Sequence, residues 1–184
     1  MTSSGGVSLL DPATVLVQFG VQPGMRVADF GCGSGHFTIL LAHAVGPEGR
    51  VTAFDVQEEP LDTVRGKVKA AGLANVEAVR ADLEVAGSTG LSDGSQDFVL
   101  VANILFQSQR KVDMLREAHR VLKSSGRLAV VEWAKGAGGM GPPDELRSDQ
   151  ASIEHLLQTT GFVVDQLVPA GGFHMVLLAH RQES

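Results

Sequence analysis

Val27-Ala28-Asp29-Phe30-Gly31-Cys32-Gly33-Ser34-Gly35 reads as a strand that ends in an acid and runs straight into alternating glycines. Glycine at such a place removes Cβ atoms where the chain must turn tightly. It also lets a ligand approach the main-chain N–H groups at the start of the next helix. The ligand implied is nucleotide-sized. A dinucleotide loop has the spacing GxGxxG, and here His36 stands at its third glycine position, which makes nicotinamide or flavin a poor match. The spacing is GxGxG.

Outward from this loop, strand and helix signals alternate. Upstream, residues 11–19 form an expected short helix with Asp11 as cap and Pro12 in its first turn, leading into Pro23-Gly24. Downstream come a helix over 35–45, a strand over 50–55, a helix over 59–71 ended by Gly72, and a strand over 76–80. Phe37, Leu40, Leu41 and Ala44 share one face of the first helix, as Leu61, Val64 and Val68 share one face of the second. A polar, glycine-bearing stretch (84–96) precedes a strand at 97–102. Val112, Leu115, Ala118 and Leu122 mark a longer helix ending near Lys123, followed by a turn at Ser124-Ser125-Gly126 and a strand over 127–133. A Gly/Pro-rich loop (136–143) and a helix over 149–160 stopped by Gly161 lead to two apolar runs, 162–168 and 174–180. Pro169-Ala170-Gly171-Gly172 joins these as an antiparallel hairpin.

The expectation is an α/β chain of one domain over residues 1–184, residues 1–8 being flexible. Its core is a Rossmann-like doubly wound, mainly parallel seven-stranded sheet with a C-terminal antiparallel hairpin and helices on both faces. Ligands of such sheets sit beyond the carboxyl ends of the strands, where strand order reverses.

The composition narrows the partners. The 184 residues are 43% hydrophobic and 20% charged, with 15 Lys plus Arg against 21 Asp plus Glu. A net charge of −6 argues against broad phosphate contact, so a nucleic-acid partner is not expected. The lone Cys32 cannot form an internal disulfide, and the first ten residues lack the pattern of a signal peptide. The apolar runs are far shorter than the ~20 residues of a membrane helix. A cytoplasmic protein without membrane insertion is expected. Homo-oligomerisation stays open.

Three acids complete the ligand reading. Asp29 closes the first strand, Asp55 the second, and Asp82 follows the third by two residues. A carboxylate about twenty residues beyond the glycine loop is placed to accept both hydroxyls of a ribose, and that residue is Asp55. Asp82, with Leu83 against the base, suits an adenine amino group. Singly each acid reads as a loop residue or helix cap; with the loop they make an adenosine site.

In these motifs the chain resembles the class I S-adenosylmethionine-dependent methyltransferases, over residues 10–181. The stretch 27–35 is similar to the family's first motif, Ala53-Phe54-Asp55-Val56 to the second, Arg80-Ala81-Asp82-Leu83 to the third, and Asp97-Phe98-Val99-Leu100-Val101-Ala102-Asn103 to the fourth. Leu115-Arg116-Glu117-Ala118-His119-Arg120-Val121-Leu122-Lys123 resembles the fifth, in the form of the ubiquinone/menaquinone-type small-molecule enzymes. The resemblance implies S-adenosylmethionine as methyl donor and S-adenosylhomocysteine as product. Gly31, Gly33 and Gly35 would shape the loop around the methionine part, with Asp29 orienting that loop and the amino group. Asp55 with Val56 would take the ribose, Asp82 with Leu83 the adenine, and Asn103 would face the cofactor from the substrate side. Ser124-Ser125-Gly126 departs from the family's Pro-Gly-Gly turn, and the N-terminal cap reduces to one short helix.

The acceptor side is less legible. Methyl transfer from a sulfonium needs alignment more than a base, so no side chain is obligatory. His36, His119 and His174 are the base candidates because imidazole titrates near neutrality. His119 reads as a structural residue of an amphipathic helix and His36 as a local hydrogen-bonding group, leaving His174 as the catalytic candidate. Phe106, Trp133, His174 and the 136–143 loop are candidates for an apolar substrate pocket, with Glu132 and Lys135 near its mouth. The alternative for Trp133 is that it simply finishes a buried strand. Asn103-Ile104-Leu105-Phe106 lacks the prolines and tyrosine of the Asn-Pro-Pro-Tyr motif of amino-group enzymes acting on nucleic acid or glutamine. No metal is expected, because the histidines show no ligand spacing. The expected function is methylation of a small molecule. The alternatives are a cofactor-binding subunit without turnover and, disfavoured by His36 and Asp82, an NAD-dependent oxidoreductase.

Overall fold

A computed structural model describes residues 10–182; the expectation of a flexible 1–8 segment lies outside them. Helix α1 (Pro12–Leu16) starts where Asp11 accepts the Ala13 N–H at 3.1 Å and the Thr14 hydroxyl at 2.5 Å. It tightens into a 3₁₀ turn over Val17–Phe19. Then follow β1 (Arg26–Phe30), α2 (His36–Val45), β2 (Arg50–Asp55), α3 (Glu58–Ala70), β3 (Val76–Arg80), β4 (Gln96–Ala102), a 3₁₀ turn at Leu105–Gln107 and α4 (Lys111–Val121). The chain closes with β5 (Leu122–Trp133), a 3₁₀ turn at Asp144–Leu146, α5 (Gln150–Thr159), β6 (Phe162–Val168) and β7 (His174–Arg181).

The seven strands form one sheet in the order β3-β2-β1-β4-β5-β7-β6. All neighbours are parallel except that β7 runs antiparallel to both β5 and β6. The expected hairpin is therefore present, but its second strand lies inside the sheet and its first forms the edge. Strand order reverses between β1 and β4, so a cleft opens beyond their carboxyl ends.

The buried strands are near-continuous apolar runs, as a sheet covered on both faces requires. On one face Phe30 meets Phe54 edge-on, 5.7 Å between ring centroids, beneath Leu115, Ala118, Ile153 and Leu157 of α4 and α5. On the other, Val27, Phe98 and Leu100 pack under Leu41 and Ala42 of α2, and Phe19 stacks on Phe98 at 5.6 Å.

The polar stretch before β4 runs in turns, tied down by Glu117 of α4, which accepts from the Gly87 N–H (2.9 Å) and the Thr89 hydroxyl (2.6 Å). One local expectation is corrected. The turn at Ser124-Ser125-Gly126 lies within β5, because Leu122 already pairs with Gln96. The extra residues are taken up as an irregularity before Phe98 pairs with Arg127.

Candidate active site

Beyond β1, Gly31 and Cys32 both donate their N–H to the carbonyl of Phe54, at 2.9 and 2.8 Å, which folds the loop back over β2. Gly33 donates to Asp55 Oδ2 at 3.2 Å and Gln57 to its Oδ1 at 3.0 Å. Asp55 thus fixes the loop while each of its oxygens keeps a further lone pair. Gly33 has φ 49°, and nothing within 4 Å would meet a Cβ there, so its backbone lies bare toward the cleft.

The cleft has a volume of about 640 Å³. Asp29, Gly31, Gly33, Asp55 and Val56 line it from the β1 and β2 ends, Asp82 and Leu83 from the β3 end, and Asn103 from the β4 end. Gly35 caps α2 with φ 76° and borders the adjoining groove instead. Apart from Gly35, the residues singled out for the donor converge on one cleft from four strand ends.

Their environments differ. Asp29 is 1% exposed and accepts the Thr38 hydroxyl of α2 at 2.6 Å. Burial pushes its carboxyl up to about 6, with the Thr38 bond opposing that rise and the charge of Asp55 adding to it. Asp82 is exposed and accepts the Glu84 N–H at 3.0 Å, whereas Leu83 is buried beside it. Arg80 donates to the Val56 carbonyl at 2.9 Å, bracing the β2 exit. Cys32 is buried, and its thiol is pushed upward by that burial and by the nearby acids, so it is no nucleophile.

Across from the glycine loop stands Asn103, with φ 53° the one non-glycine residue of positive φ among the described residues. Its Oδ1 is buried without a hydrogen-bond partner. Ile104 follows and rests on Gly31. Gln107 and Ser108 continue the wall on this side, and His36, Leu10 and Pro12 also line the cleft.

The three residues expected to bind an acceptor do not line this cleft. Phe106 sits half-buried in the 3₁₀ turn behind it. Trp133 and His174 face each other across the β5–β7 register, their ring centroids 4.1 Å apart. His174 is buried, neither ring nitrogen has a partner, and burial and the Arg147 charge lower its basicity. The Arg147 guanidinium lies 5.6 Å from the Trp133 ring centre and donates to the carbonyls of Pro142 (2.9 Å), Ala134 (3.3 Å) and Met140. The 136–143 loop is thus clasped over Trp133. His119 lies away from the cleft, against Phe162 and Gly161. Glu132, read from sequence as a residue near a pocket mouth, is instead 1% exposed on the opposite sheet face. Strand alternation from the apolar pair Leu128 and Val130 carries the signal for that placement.

Among the described residues no group of three or more His, Cys, Asp or Glu is arranged to hold a metal ion, and no helix is long and apolar enough to cross a membrane.

Comparison with known proteins agrees with this geometry. Residues 21–162 match the family described as "Methyltransferase domain". A demethylmenaquinone methyltransferase of Listeria welshimeri is 38% identical over 115 residues, which are 62% of this chain and 48% of that protein. A ubiquinone/menaquinone biosynthesis C-methyltransferase of Pseudomonas fluorescens is 38% identical over 133 residues, 72% of this chain and 51% of that protein. The chain spans about half the length of these curated relatives. The crystal structure of a SAM-dependent methyltransferase from Aquifex aeolicus superposes with a TM-score of 0.86 at 33% identity, covering 93% of this chain and 89% of that one. On the match over residues 21–162 and the likeness to the Aquifex aeolicus enzyme over most of both chains, the chain belongs to the S-adenosylmethionine-dependent methyltransferases.

Proposed function

We propose that the protein transfers a methyl group from S-adenosylmethionine to a small-molecule acceptor, both held in the cleft beyond β1, β2 and β4. The observation that carries this reading is the pairing of Asp55, which fixes the glycine loop through Gly33, with the unpartnered Asn103 Oδ1 on the facing wall. The residues fit the donor. Asp55 has lone pairs for two ribose hydroxyls, Asp82 and Leu83 offer an acceptor and an apolar surface for adenine, and the bare Gly33 backbone and the Asn103 oxygen are polar groups for the amino-acid end.

When bound, S-adenosylmethionine supplies a methyl group already activated by its sulfonium. The protein's part is to orient and to exclude water. Ile104 and Leu83 give the cleft apolar walls, and Asn103 and Gln107 present amide groups to the acceptor. His36, on the wall at the start of α2, is the imidazole placed to take a proton from an acceptor hydroxyl; His174 lies a layer behind and takes no such part. The net charge of −6 favours a small molecule over nucleic acid. A cytoplasmic site of action belongs to this reading. Two relatives are named for quinone substrates, so a quinol-type ring is the first acceptor class to test.

Thermal unfolding with ligands tests the donor. A ligand at roughly 100 times its dissociation constant adds about 2.7 kcal/mol to the unfolding free energy. S-adenosylhomocysteine is expected to raise the melting temperature and NAD is not; the reverse result overturns the reading. Mass-spectrometric detection of methylated product from a panel of hydroxylated aromatic and quinol acceptors then tests turnover. Binding without product from any of them would leave a cofactor-binding protein.

A further inference from the structure

Glu132 is an acid buried to within 1% of full occlusion with no lysine or arginine bonded to it. An uncompensated carboxylate in a core is expensive, and it persists only where hydrogen-bond donors replace the lost water. Here the donors are main-chain. Glu132 Oε1 accepts the Leu105 N–H at 2.7 Å and Oε2 accepts the Trp133 N–H at 3.2 Å. The N–H groups of Ile104 and Phe106 are directed at the same carboxylate. These are the first amides of the 3₁₀ turn Leu105–Gln107, which have no partner within the turn itself. A leucine would fill the volume but leave those donors unpaired.

The segment so held is the cleft wall facing the glycine loop. It leaves β4 through Asn103 in a left-handed conformation, carries Ile104 onto Gly31, and is fixed at its far end by the Ser108 hydroxyl donating to Glu84 at 2.6 Å. We propose that Glu132 is the positioning residue of this wall, its carboxylate holding the 103–108 backbone so that Asn103 and Ile104 are presented to the ligands. The proposal deepens the methyl-transfer reading and rests on it for the ligand's identity.

A second consequence concerns ionisation. Burial pushes the Glu132 carboxyl up to about 7, while the N–H bonds from Leu105, Trp133, Phe106 and Ile104 pull the other way. The leading causes are burial and main-chain N–H groups, not a charged side chain. The neighbouring titratable groups are His174, paired with Trp133 on the opposite face; Glu84, beyond Ser108; Lys135 and Arg147, past the end of β5; and His36, across the cleft. Protonation turns one acceptor oxygen into a hydroxyl and loosens the turn. The wall is therefore firm above neutrality and slack below it.

Glu132→Gln keeps one acceptor oxygen and cannot ionise; Glu132→Ala keeps neither. The full chain and both variants are compared by amide exchange over 103–108, corrected for intrinsic rates, and by calorimetric titration with S-adenosylhomocysteine at about pH 6 and about pH 8. Exchange in this segment should rise roughly tenfold or more in Glu132→Ala, with β1 and β2 unchanged, and less in Glu132→Gln. Wild-type affinity should fall several-fold on going to the lower pH, and Glu132→Gln should lack that fall. Wild-type exchange in both variants, or an undiminished pH effect in Glu132→Gln, overturns the proposal. Should Glu132→Ala not fold, Glu132→Gln decides alone. If the wild type fails to bind S-adenosylhomocysteine at either pH, the methyl-transfer reading falls, and the exchange comparison still decides the role of Glu132.

Discussion

The side chain of Ile104 lies so close over the backbone of Gly31 that a Cβ built at residue 31 would collide with it. Gly31 also has φ 73°, so the two walls of the cleft meet where no side chain is tolerated on one of them.

Gly31→Ala therefore carries two costs, a left-handed alanine at about 1 kcal/mol or more and the displacement of Ile104. S-adenosylhomocysteine affinity, read by calorimetry, should fall at least roughly tenfold. Ile104→Ala in the same chain should recover the part due to the collision and none of the part due to backbone conformation. A double variant no better than Gly31→Ala would show that the contact is not the cause.

Asp55→Ala removes the acceptor of the Gly33 N–H and the carboxylate assigned to the ribose. A hydrogen bond to a charged group is worth about 1.5–3 kcal/mol, so affinity for S-adenosylhomocysteine should drop by roughly 10- to 150-fold. Asp82→Ala, at an exposed side chain, should cost less. Equal losses at the two positions would contradict the assignment.

Glu132 and Asp29 are acids whose carboxyls are raised in the folded chain, to about 7 and about 6. Between the ordinary carboxylate range and those values the folded state holds protons that the unfolded state has released. Stability contributed by the neutral forms is present at the acid end and lost as pH rises through the folded values. Glu117, whose carboxyl burial raises but the Arg120, Thr89 and Gly87 bonds together hold at about 2, is ionised in both states above about pH 5 and does not mask the trend. His174 and His119, whose basicity burial lowers, act in the opposite sense over part of the same range, so the comparison that isolates Glu132 is with Glu132→Gln. From about pH 5 to about pH 8 the wild type should lose more stability than Glu132→Gln, by on the order of 3 kcal/mol. Parallel melting curves for the two proteins would refute the burial argument.

The half of the cleft assigned to the donor is legible because its residues sit at strand ends, where an apolar run, a glycine run and an acid coincide within a few positions. Gly31, Asp55 and Asp82 need only the chain's local order to be placed. The acceptor half needs to know which face of β5 each residue takes and what lies across the register. Trp133 and His174 attract attention as an aromatic and an imidazole beside a flexible loop, yet they are paired with each other and held under Arg147. Glu132 lacks any motif; its importance comes from the Leu105 amide, a residue 27 positions away. Asn103 combined both signals, ending a strand and tolerating the left-handed turn that asparagine accepts better than most residues.

Arg147 donates to the carbonyls of Met140 and Pro142 in the 136–143 loop and of Ala134 just before it, and lies over the Trp133 ring, so Arg147→Met should release the loop while keeping comparable side-chain bulk. Trp133 is the only tryptophan and the chain has no tyrosine, which makes intrinsic fluorescence a report on this one place. The variant's emission should shift to longer wavelength, and limited proteolysis should cut within 136–143. Unchanged emission and resistance to cleavage would show that the clasp does not hold the loop.

The position of β7 bears on how the molecule is made. Its two partners are β5 and β6, and β6 has no other neighbour in the sheet. As the polypeptide leaves the ribosome, β1 to β4 and the nucleoside half of the cleft are available to assemble early. One edge of β5 and the whole of β6 wait unpaired until residues 174–181 emerge and slide between them. Until then two strand edges have no partner, and the segment that closes them follows every other strand of this sheet in chain order.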